Sequence, residues 1–164
     1  MADNTLRIKP VVNTDRPALG RFIASRWGAT VIVHGTVFRP AELSGLVAVR
    51  DGRLAGLLTY DVSGDSLEIV SLDAVSPNGG VGSALITAIA DEARKRQVHR
   101  LHVTTTNDNL DALRFYQRRE FRLFAVRPGE VDESRRLKPQ IPETGCYDIP
   151  IRDEIELVRD LAFG

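Results

Sequence analysis

A mixed α/β fold follows from three features of the sequence: a strongly twisted, mostly antiparallel sheet with helices on both faces and one parallel pair of strands. First, Leu46–Arg50 and Arg53–Val62 flank Asp51-Gly52, a pair suited to the positive φ angles of a type I′ hairpin turn. Ser63-Gly64-Asp65 then turns the chain into Leu67–Val75, which completes an antiparallel meander. Second, the glycine turn Asn78-Gly79-Gly80-Val81-Gly82-Ser83 opens an amphipathic helix that runs to about Gln97. Val81, Leu85, Ile89 and Ala93 recur every four positions on one face of it. Third, a strand at Arg100–Thr106 follows this helix directly and therefore lies parallel to the last strand of the meander.

The remaining elements fall into place around these. Leu6–Val12 alternates as a first strand. Asn13-Thr14-Asp15 offers cap residues, and Pro17 in the first turn favours a helix to about Trp27. Gly28–Pro40 mixes apolar residues, glycine and a histidine, and reads as an irregular or partly helical excursion. Arg94-Lys95-Arg96 complements the dipole at the end of the central helix. Asn107-Asp108-Asn109 caps a further amphipathic helix carrying Ala112, Phe115 and Tyr116. Phe121–Arg127 reads as a strand, and Pro128–Asp153, with four prolines, as a long loop of the functional or mobile kind. Glu154–Asp160 closes the chain as an alternating strand. Ile155 and Leu157 point one way and Glu154 and Glu156 the other, a pattern able to pair across a two-fold and form a homodimer.

With 164 residues the chain is expected to be one domain, large enough to bury a core. Lys+Arg and Asp+Glu balance at 22 each, which argues against nucleic acid or a membrane surface as the main partner. No long apolar span is present, and Met1-Ala2-Asp3-Asn4 shows no signal-peptide pattern, so a cytoplasmic location is expected. A single cysteine, Cys146, excludes an internal disulfide framework and any multi-cysteine zinc cluster, and no metal is expected.

The glycine turn carries the first chemical signal. Its glycines let the backbone approach a ligand closely, and the free N–H groups of the following helical turn favour a phosphate or pyrophosphate. Two common nucleotide motifs do not fit. A P-loop needs a lysine after Gly82, where Ser83-Ala84 stands; a dinucleotide turn needs a further glycine at Leu85 and an acidic end to the next strand, which ends in Thr104-Thr105-Thr106.

From Leu46 to Val126 the order of parts resembles the GCN5-related N-acetyltransferase (GNAT) superfamily. Gly80-Val81-Gly82-Ser83-Ala84-Leu85 is similar to the second half of that family's Gln/Arg-x-x-Gly-x-Gly/Ala turn. Asn109-Leu110-Asp111-Ala112-Leu113-Arg114-Phe115-Tyr116, followed by Arg119-Glu120-Phe121, resembles its Asn-x-x-Ala-x-x-Phe-Tyr-x-x-x-Gly-Phe segment. The chain departs from the pattern at Pro77, which stands in the Gln/Arg place and leaves the turn without a side-chain cation, and at Glu120, which replaces glycine.

The resemblance implies a GNAT-like fold in which acetyl-CoA wedges between two parallel strands that splay apart, here Leu67–Val75 and Arg100–Thr106. Backbone groups near Asp73, Ala74 and Val75 would then pair with the pantetheine arm. The turn from Asn78 through Gly79, Gly80, Val81, Gly82 and Ser83 to Ala84 would hold the pyrophosphate, and Asn107 and Asn109 would complete the cofactor site. Tyr116 would lie near the thioester sulfur as the proton donor, since a phenol stays protonated at neutral pH. Glu68 is the first candidate for the general base and Asp73 the second, unless water chains serve instead. Trp27 and His34 bracket the stretch that would line the acceptor pocket. His102 reads as an ordinary strand residue, and Arg135, Arg136 and Lys138 as a solvated face or as contacts to CoA phosphates or an acidic acceptor. The implied activity is acetyl transfer to a primary amine of a small molecule rather than of a protein. The alternative is a degenerate module that binds acyl-CoA or regulates a partner without turnover.

Overall fold

The computed structural model describes residues 4–162; Met1-Ala2-Asp3, part of the amino-terminal stretch considered above, lies outside them. In chain order the elements are β1 (Arg7–Pro10), α1 (Arg16–Trp27), β2 (Val31–Val33), β3 (Thr36–Phe38), β4 (Ser44–Arg50), β5 (Arg53–Ser63), β6 (Ser66–Ala74), α2 (Val81–Lys95), β7 (Arg100–Thr106), α3 (Leu110–Gln117), β8 (Arg122–Arg127), α4 (Glu130–Leu137) and β9 (Glu154–Asp160). Seven strands form one sheet in the order β1-β4-β5-β6-β7-β9-β8, antiparallel throughout except for β6 and β7. The predicted class is therefore the observed one.

Helices cover both faces. On one face α2 buries Val81, Leu85, Ile89 and Ala93 against Leu58, Leu67, Leu101 and Leu157, and α3 adds Tyr116. On the other, Leu19 and Ile23 of α1 pack on Val47 and Leu57. Gly56 permits the close seat of α2 on β5. A Cβ there would lie 2.5 Å from Val81 Cγ1 and 2.7 Å from the Asp73 carbonyl oxygen.

Two features of β6 position the site. Its register against β5 steps from Tyr60↔Ile69 to Thr59↔Ser71, which leaves Val70 as the extra residue of a β-bulge. A bulge bends its strand and increases the local twist. Pairing with β7 runs only from Ser66↔Arg100 to Ile69↔Val103, although β6 continues to Ala74 and β7 to Thr106. The two parallel strands splay at that point.

Three sequence expectations need correction. The Gly28–Pro40 excursion contains a two-stranded hairpin, β2 paired with β3, turning at His34-Gly35, both with positive φ. The short runs on either side, Val31-Ile32-Val33 and Thr36-Val37-Phe38, are rich in β-branched residues, which favour strand over helix. The Pro128–Asp153 loop contains α4, whose first turn holds Glu130, Asp132 and Glu133 and whose last holds Arg135 and Arg136, a charge order that suits the helix dipole. Finally, β9 is an interior strand between β7 and β8, so it has no free edge with which to pair across a two-fold. Among the described residues, no helix is long and apolar enough to cross a membrane.

Filling the Gly56 contact tests this packing. Gly56→Ala should lower stability by about 1–3 kcal/mol through overpacking, read as a lower urea midpoint at unchanged m. An unchanged midpoint would show that α2 can retreat from β5 without cost.

Candidate active site

A cleft of about 520 Å³ opens on the α2–α3 face where the splay begins. The glycine turn forms one wall and Tyr116, Arg114 and Arg119 of the α3 segment form the other. Asn78 and Gly80 adopt positive φ, and Gly80 caps α2 without any side-chain bond. The amide of Ala84 donates to the Gly80 carbonyl at 3.0 Å, so the unpaired helical N–H groups are those of Val81, Gly82 and Ser83. Gly82 lies against Phe115, whose ring would meet a Cβ at 3.0 Å. That closeness brings the end of α3 up to the turn.

Arg119 supplies what the turn itself lacks. Its Nε and one terminal NH2 donate to Ser83 Oγ at 3.0 and 2.6 Å, its other terminal nitrogen donates to the Phe115 carbonyl, and its guanidinium stacks 3.7 Å above the Phe115 ring. Arg50 approaches from β4 and donates to the Gly79 carbonyl at 3.1 Å. The expectation that no side-chain cation serves the turn is thus corrected. The cations come from other elements, Arg119 through the packing of α3 on α2 and Arg50 from the end of β4.

Tyr116 is buried, edge-on to Phe115 and Phe121 with ring centroids 5.1 and 5.3 Å away. Burial first, then the charges of Asp73 and Glu68, pushes its phenol above the ordinary range, so it stays protonated.

The opposite face of the sheet holds a second group of side chains. Glu68, His102, Thr104, Glu154 and Glu156 share that face by register, and the β2–β3 hairpin inserts His34 among them. Nδ1 of His34 bonds Glu154 Oε2 at 3.0 Å and Nε2 meets Thr104 Oγ1 at 2.9 Å. His102 Nδ1 meets Glu156 Oε1 at 2.8 Å, and Arg127 donates to Glu156 Oε2 at 2.7 Å. One ligand atom each of His34, Glu68 and Glu156 lies within 4.8 Å of the others. Glu154 and Glu156 share one face, as the alternation implied, and that face is covered: they are buried at 3% and 5% exposure. His102, read as an ordinary strand residue, belongs to the same network.

The electrostatics are uneven. The Glu154 hydrogen bond raises the pKa of His34 against the opposing effect of burial. Glu156 is held low by Arg127 and His102 even though burial alone pushes it up. Glu68 Oε1 is buried with no hydrogen-bond partner, and burial raises this carboxyl to about 7.

The other sequence candidates fall in several places. Asp73 accepts from Trp27 Nε1 at 2.5 Å, and burial raises its pKa. This bond pins the end of α1 to splayed β6. Ala74 lines the cleft, whereas the Val75 amide donates to Ala55. Asn109 caps α3 by accepting from the Ala112 amide. Asn107 donates to the Pro150 carbonyl and accepts from the amides of Arg152 and Asp153, so its amide ties down the 150–153 segment. Arg135 clamps the carbonyls of Ile141, Pro142 and Ile151, and Lys138 donates to those of Trp27 and Thr30. Both are structural ties to neighbouring segments.

Residues 16–121 match the family model "Acetyltransferase (GNAT) family". The chain belongs to the GNAT acetyltransferase family. A Bacillus subtilis (strain 168) relative, "Uncharacterized protein YdhI", is 41% identical over 136 residues, 82% of this chain and 85% of that protein. Among solved structures, a Bacillus subtilis acetyltransferase in complex with CoA superposes with a TM-score of 0.68 at 18% identity, covering 96% of this chain and 100% of the other. A GNAT family acetyltransferase from Elizabethkingia anophelis with acetyl-CoA bound gives 0.67 at 19% identity, covering 97% and 99%. The GNAT sheet with its parallel splay is thus the frame of the cleft described above.

Within this GNAT chain, Glu68 gives a stability test with a defined sign. Its ionised form is disfavoured by folding, so the protein should lose stability as pH rises from about 4.5 to about 7. Glu68→Gln removes that loss. The variant should gain on wild type across this window by up to about 3 kcal/mol, at about 1.4 kcal/mol per pKa unit, and hold the gain above it. Urea unfolding of both proteins from pH 4 to 9 measures the difference, and parallel curves would contradict it.

Proposed function

We propose that this protein transfers the acetyl group of acetyl-CoA directly to a primary amine of a small molecule in a ternary complex. The observation that carries this reading is the arrangement of two groups of side chains on opposite faces of one sheet, both beside the point where β6 and β7 part. The cleft with the glycine turn and Tyr116 lies on one side, and an unpartnered carboxyl of Glu68 lies on the other.

In this reading the N–H groups of Val81, Gly82 and Ser83 hold the CoA pyrophosphate, with Arg119 beside them as the compensating cation. The pantetheine arm follows the unpaired edge of β6 from Ala74 back past Ser71, and the thioester reaches the point where the strands part. Glu68 takes one proton from the acceptor ammonium. The neutral amine then attacks the thioester carbonyl, a C–N bond forms, and the C–S bond breaks. Tyr116 gives its proton to the departing thiolate and is reprotonated by the second proton lost from nitrogen as the amide forms. Asp73 serves in this scheme by holding Trp27, and with it the end of α1, at the acceptor side. The zero net charge of the chain, which matches neither a polycationic nor a polyanionic partner, favours a small amine over a protein.

Two measurements check the scheme. In an acceptor screen by release of CoA thiol, wild type should acetylate at least one small amine. On that acceptor Tyr116→Phe should lower kcat about 100-fold or more while acetyl-CoA binding stays within about 3-fold. Absence of release across a broad panel would favour the binding-only alternative. Arg119→Ala should instead raise the Kd of acetyl-CoA about 10- to 150-fold, since it removes a charge-assisted phosphate contact of about 1.5–3 kcal/mol. A change in kcat alone would place Arg119 outside the cofactor site.

A further inference from the structure

Glu68, as the base of the proposed reaction, faces a difficulty that the rest of the cluster resolves. Its Oε1 is buried and unpartnered although the residue as a whole is only half-buried, so a proton on that inner oxygen leaves by way of a neighbouring group. The groups around it come from four elements: His34 from the hairpin, His102 and Thr104 from β7, Arg127 from β8, and Glu154 and Glu156 from β9. Tyr116 approaches from the other face. Most are committed. Both oxygens of Glu156 are occupied, by His102 and by Arg127. Arg127 carries a permanent charge, and Glu154 is spoken for by His34.

His34 differs from the rest. Its side chain is 27% exposed, so it reaches water, and it also has a ring nitrogen within 4.8 Å of a Glu68 oxygen. Its orientation is fixed from two sides. Glu154 lies within 3.0 Å of Nδ1 and also receives the His34 backbone N–H at 3.3–3.4 Å. With Nδ1–H donating to Glu154, Nε2 presents its lone pair toward Thr104, whose hydroxyl donates to it. When Nε2 gains a proton the same hydroxyl turns and accepts, and Glu156 Oε1 stands 3.9 Å away as counter-charge.

We propose that His34, held by Glu154, is the outlet through which the proton taken by Glu68 leaves the site, passing from the Glu68 carboxyl by way of one bridging water to His34 Nε2 and then to solvent. The step is a proton transfer only. Glu68 returns to carboxylate, neutral imidazole becomes imidazolium, and release to solvent restores it. Glu154 is a positioning residue, since it acts through His34. This inference rests on the acetyl-transfer reading for its direction, but the proton coupling of His34 and Glu68 is measurable without any acceptor. Both groups are shifted toward the protonated form, His34 by its bond to Glu154 and Glu68 by burial, so each can hold the proton in turn.

The test has two arms on the full-length protein. In the first, 13C-labelled histidine side chains are titrated by NMR, with the His34 signal assigned by its loss in His34→Asn. Asparagine tolerates the positive φ that His34 adopts, so the turn is kept. Wild type should show His34 titrating above its ordinary value with a second inflection from Glu68. Glu68→Gln should remove that inflection, and Glu154→Gln should bring the His34 pKa to about 6.5 or below. Identical curves in wild type and Glu68→Gln would overturn the coupling. So would a Zn2+-induced shift of the His34 signal that disappears in Glu156→Gln, which would make the cluster a metal site.

In the second arm, on an amine that wild type acetylates, His34→Asn should lower kcat about 10-fold or more with the acetyl-CoA KM unchanged. Added imidazole should restore part of the rate at pH above 7. Lack of rescue together with a loss confined to KM would assign His34 a purely structural role and overturn the proposal. If wild type acetylates no amine, the acetyl-transfer reading fails, and the NMR arm still decides the coupling.

Discussion

The active-site geometry depends on the loss of pairing between two parallel strands after Ile69↔Val103. A parallel sheet normally satisfies its backbone groups across every strand pair, and an unpaired buried edge is costly. This chain does not run into that cost by accident. The bulge at Val70 bends β6 away from its neighbour, Gly56 lets α2 press close to the bent strand, and the Trp27–Asp73 bond secures the far end from the other face. Each device sits within a few residues of the splay. The opening is held by β5, α1 and α2 together, which makes it a fixed feature of the fold and a ready slot for a ligand that brings its own amide groups.

Charge burial dictates the second half of the architecture. Placing Glu154 and Glu156 inside the sheet costs several kcal/mol each unless partners compensate. The partners are drawn from the hairpin, β7 and β8. The β2–β3 hairpin has strands of only three residues and forms its own two-stranded sheet. His34 therefore docks it as well as completing the cluster. A group with both duties explains why a histidine occupies a turn position with φ +51, where asparagine or glycine would fit with less strain.

The parts that were legible in the sequence are those whose information is local. The meander, the glycine turn and the period of α2 each declare themselves within ten or fifteen residues. The hairpin at 31–38 carried a usable signal, β-branched runs on either side of a residue followed by glycine, but its strands are too short for alternation to speak. In α4 the order of charges along the helix was present and was masked by the prolines that follow it. Glu154 and Glu156 were placed on the correct common face. Alternation gives parity and does not say what covers the face, and here a hairpin 120 residues distant in sequence does so. Arg119 escaped notice for a similar reason. Its value depends on Gly82 admitting Phe115, a contact between helices that no spacing rule encodes.

Burial acts on the two groups of the proposed proton chemistry in the same chemical direction, toward the protonated form, and that common cause constrains how the site works. Tyr116 is kept protonated far above neutral pH, which suits a donor to a thiolate. Glu68 is pushed up to about 7, so as a base it is available only from neutral pH upward. A site that excluded water less would free the base at lower pH, but would also expose the thioester to hydrolysis. The compromise places the working range between the titration of Glu68 and that of Tyr116. In the proposed scheme the lower boundary is set by the groups that trade protons with Glu68, and the hairpin that carries His34 would then help to fix the pH at which the two faces of the sheet act together.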